Sequence, residues 1–406
     1  MADAITTRCC VAGGGPAGMM LGFLLARAGI DVIVLEKHPD FLRDFRGDTI
    51  HPSTLEIMGE LGLLEEFLRL PHTKEDSLSG MFGSTTFPFV DLSHLPTRCK
   101  FIALMPQWDF LNFLADHGKR FANFHLRMRN EVTELIEEGG RVAGVRAQSP
   151  EGPVEIRADL VVGCDGRHSV VRQRAGMQVE DLGAPMDVLW FRVSHRDGDP
   201  EHTMGRFEAG RILVMINRGD YWQCAYVIPK GGIDEVHRAG LDAFRANLAA
   251  GVPAFANRVG EIADWDQVKL LTVAVDRLTT WYKEGLLCIG DAAHAMSPIG
   301  GVGINLAVQD AVAAANLLWA PLSRGRPSVD DLARVQVRRM FPTRVTQWIQ
   351  VVAQNNVVNR ALQAKQELEA PLLVRWFARF PYLRRLPARL LGLGVRPEHV
   401  HTPARV

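Results

Sequence analysis

The chain carries no surplus of charge: lysine plus arginine number 46, aspartate plus glutamate number 46, and the formal net charge is zero. A general nucleic-acid binder would show a basic excess or stripe, so that class is set aside. Cysteine is scarce. Six in 406 residues are too few for a disulfide scaffold, and none is spaced as a zinc ligand, so no metal site is expected. Cys9, Cys10, Cys164 and Cys288 sit in apolar runs, where a thiol serves as a small hydrophobe. No run approaches the roughly 20 apolar residues of a membrane span. The first eight residues lack the charged-then-apolar layout of a secretion signal. Internal repeats and low-complexity linkers are also missing. These absences lead to the expectation of a soluble cytoplasmic protein. The rest is ordinary for a globular chain, with 47% hydrophobic and 23% charged residues. The length exceeds what one core usually carries and implies two units.

The pattern opens with a strand-like run at Cys9-Cys10-Val11-Ala12, a glycine cluster, and a helical pattern through Met19, Met20, Phe23, Leu24 and Leu25. The continuous aliphatic run Asp31-Val32-Ile33-Val34-Leu35 then reads as a strand buried on both faces, completing a βαβ unit. Ser53-Thr54-Leu55-Glu56 has the form of a capping box for a helix to Gly62, and a second helix is expected over 107–121. Runs near 126–128, 142–145 and 154–156 suggest an antiparallel patch, and a buried strand returns at Leu160-Val161-Val162-Gly163-Cys164. Strands recur at 188–193, 212–216 and 222–227, interrupted by one helix over about 234–250. Another buried strand is expected at 286–289, then helices, one starting at Pro327-Ser328 and kinked or divided at Pro342. The expected organisation is a nucleotide-binding part at 1–180, with 65–105 leaning toward the second unit. An inserted sheet follows at 181–280, then a return to the first unit at 281–330 and C-terminal helices at 331–406.

Three motifs follow the three buried strands. Gly13-Gly14-Gly15-Pro16-Ala17-Gly18 fits G-x-G-x-x-G between strand and helix, where the glycines allow a tight turn, close approach of a pyrophosphate, and helix–strand packing. Glu36 lies 21 residues past Gly15, placed to accept hydrogen bonds from ribose hydroxyls. Asp165-Gly166 ends the second strand. A turn accounts for it equally well, with Asp165 capping a short helix near Ser169. Gly290-Asp291-Ala292-Ala293-His294 ends the third and leads into Pro298-Ile299-Gly300-Gly301-Val302-Gly303-Ile304-Asn305, where a helix start is expected near Gly301.

In this order and at these separations the motifs resemble the class A flavin-dependent aromatic hydroxylases, of the para-hydroxybenzoate and ubiquinone-biosynthesis hydroxylase type. The likeness extends to Arg46-Gly47 and Val275-Asp276-Arg277-Leu278. It implies an α/β fold: a Rossmann-like FAD-binding domain with an inserted, mostly antiparallel β-sheet substrate domain and a helical C-terminus. It also implies bound FAD and transient NADH or NADPH, since only one dinucleotide fold is visible. By resemblance, Gly13, Gly15, Pro16, Ala17, Gly18, Glu36 and Lys37 hold the adenosine half. Arg46, Gln107, Val132, Asp165 and Gly166 contact the cofactor, and Asp291 binds its ribitol. Pro298, Gly301, Gly303, Ile304 and Asn305 cradle the ring, where helix amides would favour an anionic reduced flavin by up to ~2 kcal/mol. The implied reaction is hydroxylation of an aromatic or quinone-like molecule with O2, through a flavin hydroperoxide.

Pro298 and Gly301, beside the ring, and Asp48 as a base are the catalytic candidates. His51 is a second possible base, or else a solvent-facing histidine before Pro52. His294 is expected to hydrogen-bond behind the cofactor. Trp190, Arg192, Met215, Gln223 and Tyr226 are the candidate substrate wall. From 370 to 406 there are seven arginines and one acid, a net charge of +6, with Leu372, Leu373, Trp376, Phe377 and Phe380 on one helical stripe. Packing of that helix on its own protein is preferred, with contact to an anionic membrane as the alternative. A halogenase would need paired tryptophans in Trp-x-Trp-x-Ile-Pro, and Trp222-Gln223-Cys224-Ala225-Tyr226-Val227-Ile228-Pro229 lacks them. A reductase or epoxidase of a lipophilic substrate, and a non-redox scaffold of the Rab-escort type, are the other readings.

Overall fold

The structure is a computed structural model and describes residues 5–42, 49–200, 203–366 and 368–405. Arg46 and Asp48 lie outside the described residues.

The first unit is built on an eight-stranded sheet. Its centre is the strand Ile5–Ala12, with Val32–Glu36 on one side and Gly152–Gly163 on the other, all parallel. Leu286–Cys288 extends the sheet beyond Gly152–Gly163, again in parallel. These strands read as unbroken apolar runs because they are buried on both faces, so no alternation is needed. The helix Pro16–Arg27 covers one face, packed against the long helix Gly303–Arg324. The run 126–128 belongs to the strand Phe124–Met128, which pairs in parallel with Val32–Glu36, not within an antiparallel patch as expected. The stretch between the two is long enough, and contains the helix Gln107–Gly118, so the crossover that a parallel pair requires is available. The antiparallel patch is real for Glu131–Glu138, Arg141–Ser149 and the first half of Gly152–Gly163.

The second unit is a seven-stranded, mostly antiparallel sheet. Its strands run in the spatial order Lys269–Leu271, Met186–Ser194, Tyr221–Pro229, Arg211–Asn217, Met204–Glu208, Ser77–Phe82 and Thr85–Asp91. Two chain segments therefore contribute, since Ser77–Phe82 joins Met204–Glu208 in parallel. The helix expected over 234–250 is two, Ile233–Ala239 and Leu241–Gly251, separated by Gly240 at φ +89°.

Three other details differ from expectation. The helix near residue 53 starts earlier, at Pro52–Glu60, with His51 at the N-cap and no side-chain cap. Proline's fixed φ starts the first turn without the serine, and Glu56 instead pairs with Arg98. The helix Val329–Ala353 begins with a capping box between Ser328 and Asp331 but runs on through Pro342. Arg339 before the proline is tied to Asp310, and Gln347 after it to the carbonyls of Asp276 and Ala295. The helix is therefore not divided at Pro342, at the cost of one backbone hydrogen bond. Finally, Ile299–Arg324 is long and apolar enough by composition to cross a membrane, contrary to the sequence expectation. However, 78% of its apolar window is buried inside the protein, as befits a core helix.

Candidate active site

Register puts the three motifs side by side. Ala12 is opposite Leu35 and Gly163, and Gly163 is opposite Cys288, so four strands end level at their carboxyl edges. That edge is where open α/β sheets bind ligands.

The glycines are of two kinds. Gly13, at φ +107°, has no room for a side chain, because a Cβ there would stand 2.4 Å from the Cys164 carbonyl oxygen. The first motif thus presses directly on the second. A Cβ on Gly18 would stand 1.9 Å from the Gly13 oxygen, so the turn closes on itself. Gly290, at φ +58°, is wedged between Ala17 and Ala307, the first turns of two helices, at 3.0 and 3.4 Å from its would-be Cβ. Gly15 and Gly303 differ: a Cβ on either would meet nothing within 4 Å. They face open space at the amino ends of those same two helices, and neither helix has a side-chain cap or an acid in its first turn. Two sets of free amides therefore flank one cradle, the arrangement that suits a pyrophosphate at one end and a flavin ring at the other. The residues fit an extended FAD.

Around this cradle, the Glu36 carboxylate is buried and already braced, accepting from Gly14 N at 3.1 Å and His38 N at 3.0 Å. Lys37 beside it is exposed, while Val132 is buried in the core. Gln107 stands at the start of its helix, partly exposed. Ser169 is the N-cap of the short helix Val170–Arg174, accepting from Arg172 N at 2.9 Å, and Asp165 helps cap it as expected. Asp165 braces that cap by accepting from Ser169 Oγ at 2.5 Å and Val171 N at 3.1 Å. Burial raises its carboxyl, against the lowering effect of these donors. Asp291 sits in the turn Gly290–Ala292 and faces Arg167 at 3.9 Å.

The turn that follows is held from several sides. Thr49 Oγ1 donates to the Gly301 carbonyl at 2.8 Å, and Thr54 Oγ1 donates to Asn305 Oδ1 at 2.6 Å. The Asn305 amide nitrogen is then left buried with no partner among the described residues. From the other side, Gln350 receives the Ser297 N–H at 3.1 Å and donates to the carbonyls of Ser297 and Ile299, at 2.9 and 3.0 Å. Gln354 donates to Ser297 Oγ at 2.9 Å from a π-helical turn, Gln354–Val358. Sequence reasoning missed Thr49, Thr54, Gln350 and Gln354. Spacing of three to four residues on one helix face was the only signal, and glutamines on a helix ordinarily face water.

His51 is not solvent-facing. It is buried, and its Nδ1 lies 2.8 Å from the Leu391 carbonyl. Burial drives its pKa down to about 4, although the carbonyls of Leu391, Gly301 and Gly300 act the other way. A neutral imidazole must donate through Nδ1 here, which fixes the ring and leaves Nε2 buried with no partner among the described residues, as a weak acceptor. His294 lies behind the Gly290 turn, with Nε2 2.6 Å from Asp310 Oδ2; Asp310 also accepts from Gly290 N and from Arg339. Burial alone would raise Asp310, but His294 and Arg339 hold its carboxyl below the usual range.

The candidate substrate wall separates into two faces. Trp190 is opposite Ala225, and Arg192 is opposite Gln223, which is in turn opposite Ile216. Cross-strand partners share a face, so Trp190, Arg192 and Gln223 point to one side, the side whose core reaches Ile299. Gln223 is buried, Trp190 has a buried indole nitrogen with no partner among the described residues, and Arg192 is exposed over the Tyr221 ring. Met215 and Tyr226 lie on the opposite face, packed with Phe244 and Leu248, and so are not part of the wall. The period of two assigns alternate residues within a strand, but phase between strands depends on register that the sequence does not show.

A dinucleotide cradle at the strand ends, with a separate sheet over its far end, defines a two-domain flavoprotein of the hydroxylase type. The chain belongs to the FAD-binding domain family, whose pattern matches residues 6–349. It is 32% identical to 6-methylpretetramide 4-monooxygenase of Streptomyces rimosus over 403 residues, covering 98% of this chain and 96% of that one. Rifampicin monooxygenase of Streptomyces venezuelae is 30% identical, with 76% of this chain and 62% of that one covered. Among solved structures, an anhydrotetracycline hydroxylase of Streptomyces rimosus shares the fold with a TM-score of 0.76, at 24% identity over 96% of this chain and 76% of that one. This protein is an FAD-dependent monooxygenase.

Proposed function

We propose that the protein hydroxylates an aromatic or quinone-like small molecule, with FAD bound and with O2 and transient NADH or NADPH as co-substrates, in the cytoplasm. The observation that carries this reading is the pair of uncapped helix amino ends on either side of Gly290, with open space at Gly15 and Gly303. In it, the backbone N–H groups of Gly15 and Ala17, on either side of Pro16, take the pyrophosphate, and Glu36 takes the ribose. Asp291 binds the ribitol, and residues 298–305 hold the ring. Bound flavin supplies two-electron reduction by NAD(P)H and activation of O2. The chain's own residues do the rest: amides at the start of Gly303–Arg324 favour negative charge on the ring, and the Asn305 amide offers it a donor. The Trp190 and Gln223 side of the sheet closes over the substrate and keeps water out. The Trp190 N–H is free to donate to a substrate oxygen.

The relatives named for 6-methylpretetramide and rifampicin support an oxygenase over a reductase or a non-redox scaffold. The test is a panel of phenols and larger fused-ring aromatics scored for stimulated NAD(P)H oxidation under 18O2. A product carrying one labelled oxygen is expected. Oxidation of NAD(P)H with unlabelled, reduced product would overturn the proposal in favour of a reductase.

A further inference from the structure

We infer that residues 371–392 form a docking face for an anionic lipid surface. The helix Leu372–Arg379, the turn Pro381–Arg384 and the helix Arg385–Gly392 expose seven large apolar side chains within 19 residues. Leu372 is 73% exposed, Leu373 68%, Trp376 58% and Tyr382 75%, joined by Phe380, Leu386 and Leu390. The helix does pack on its own protein with its arginines outside, as expected, but of the stripe only Phe377 turns inward. The first helix lies against Thr85–Asp91 and turns Val374, Phe377 and Ala378 partly inward, while Leu372, Trp376 and Phe380, at spacings of four, point away. The second helix buries Ala388 and Gly392 and leaves Arg385, Leu386, Arg389 and Leu390 outside. Gly392 fits so tightly that a Cβ would stand 2.6 Å from Leu95. The segment is therefore fixed to the body by one side and presents the other.

Charge decides the occupant. Arg375, Arg379, Arg384, Arg385 and Arg389 accompany the apolar residues; the sequence from 370 to 397 contains no acid, and at its edge Glu369 pairs with Arg375 alone, at 3.6 Å. Arg379 and Arg385 lie 5.6 and 5.2 Å from the Phe380 and Tyr382 ring centres, so cations and apolar rings share one surface. A second copy of this face would set arginines against arginines, which disfavours self-association. A basic, apolar, Trp- and Tyr-bearing helix is what an anionic headgroup layer accepts, with rings at headgroup depth and guanidinium groups on phosphates. An exposed apolar patch of this extent is unusual on a protein with no partner. The inference is independent of the redox reading, since it concerns where the protein sits and not what it oxidises.

The test is co-sedimentation of the FAD-loaded full chain with vesicles of phosphatidylcholine alone or mixed equally with phosphatidylglycerol. Binding is expected to the mixed vesicles and not to phosphatidylcholine alone. The double variant R375E/R379E should weaken it by roughly tenfold or more, as two lost phosphate contacts imply. Trp376→Ser should also weaken it, with flavin content and thermal midpoint unchanged in both variants. The proposal fails if the wild type stays in the supernatant with mixed vesicles, or if it binds both vesicle types equally. It also fails if R375E/R379E binds like the wild type. Light scattering that shows a dimer dissolved by the same variants would assign the face to self-association, and capture of a soluble acidic protein without vesicle binding would assign it to that partner.

Discussion

Two glycines of one motif should respond differently to the same kind of change. At Gly13 a methyl group meets the Cys164 carbonyl in a left-handed backbone, so Gly13→Ala should cost on the order of 3 kcal/mol of stability even without FAD. Gly15 has φ −74° and ψ −175°, which any residue adopts, and its Cβ direction is empty. Gly15→Val should keep the thermal midpoint of the apoprotein and weaken FAD binding roughly tenfold or more, read by flavin fluorescence. A destabilised apo Gly15→Val would contradict this division. His51 makes a separate, pH-dependent contribution. Its folded pKa of about 4 lies below the ordinary 6.5, so the unfolded chain takes up a proton that the folded chain refuses. The stabilising effect is complete above pH 6.5 and is lost as pH falls toward 4, amounting to about 3 kcal/mol. His51→Asn keeps a donor for Leu391 without the titration. Urea unfolding at pH 7 and pH 4 should show the wild type losing more stability than the variant; parallel losses would mean that the imidazole is not held neutral.

At the scale of elements, the second sheet has one face that reaches the Ile299 turn, proposed to meet substrate, and one packed on its own helices. Met215→Ala should cost about 3 kcal/mol, as core truncations do, and leave the product profile unchanged. Trp190→Phe should keep the thermal midpoint and raise KM or the fraction of NAD(P)H lost to hydrogen peroxide. The reverse pattern would mean that the faces have been exchanged. The buried glutamines of the long helix work through the turn they hold. Gln350→Leu strands one N–H and two carbonyls of Ser297 and Ile299, an expected loss of about 3 kcal/mol together with more peroxide per NAD(P)H. An unchanged melting curve would sink that assignment. These elements also mark the limit of what could be read from the chain. The buried strands, the glycine turn and the helix start at Pro327-Ser328 were legible, because each is set by residues within a few positions of one another. The phase of Met215 and Tyr226, the parallel pairing of Phe124–Met128, the unbroken course through Pro342 and the burial of His51 were not. Each depends on a partner tens to hundreds of residues away.

For the whole molecule, the level ending of four parallel strands brings motifs as far apart as Gly13 and Gly290, 277 positions, to one edge. The family pattern over 6–349 agrees with the order of motifs that the sequence presents, whereas the exposed apolar face at 371–392 lies beyond that matched span. The proposed oxygenation depends on FAD lying across that edge, from the amino end of Pro16–Arg27 to the amino end of Gly303–Arg324. The most direct test is a crystal structure of the protein loaded with FAD. The expected result is the pyrophosphate on the amides after Gly15, the ribose on Glu36, and the isoalloxazine against residues 298–305 below Trp190 and Gln223. An isoalloxazine lodged anywhere else, or a 298–305 turn filled by the protein's own side chains, would contradict it.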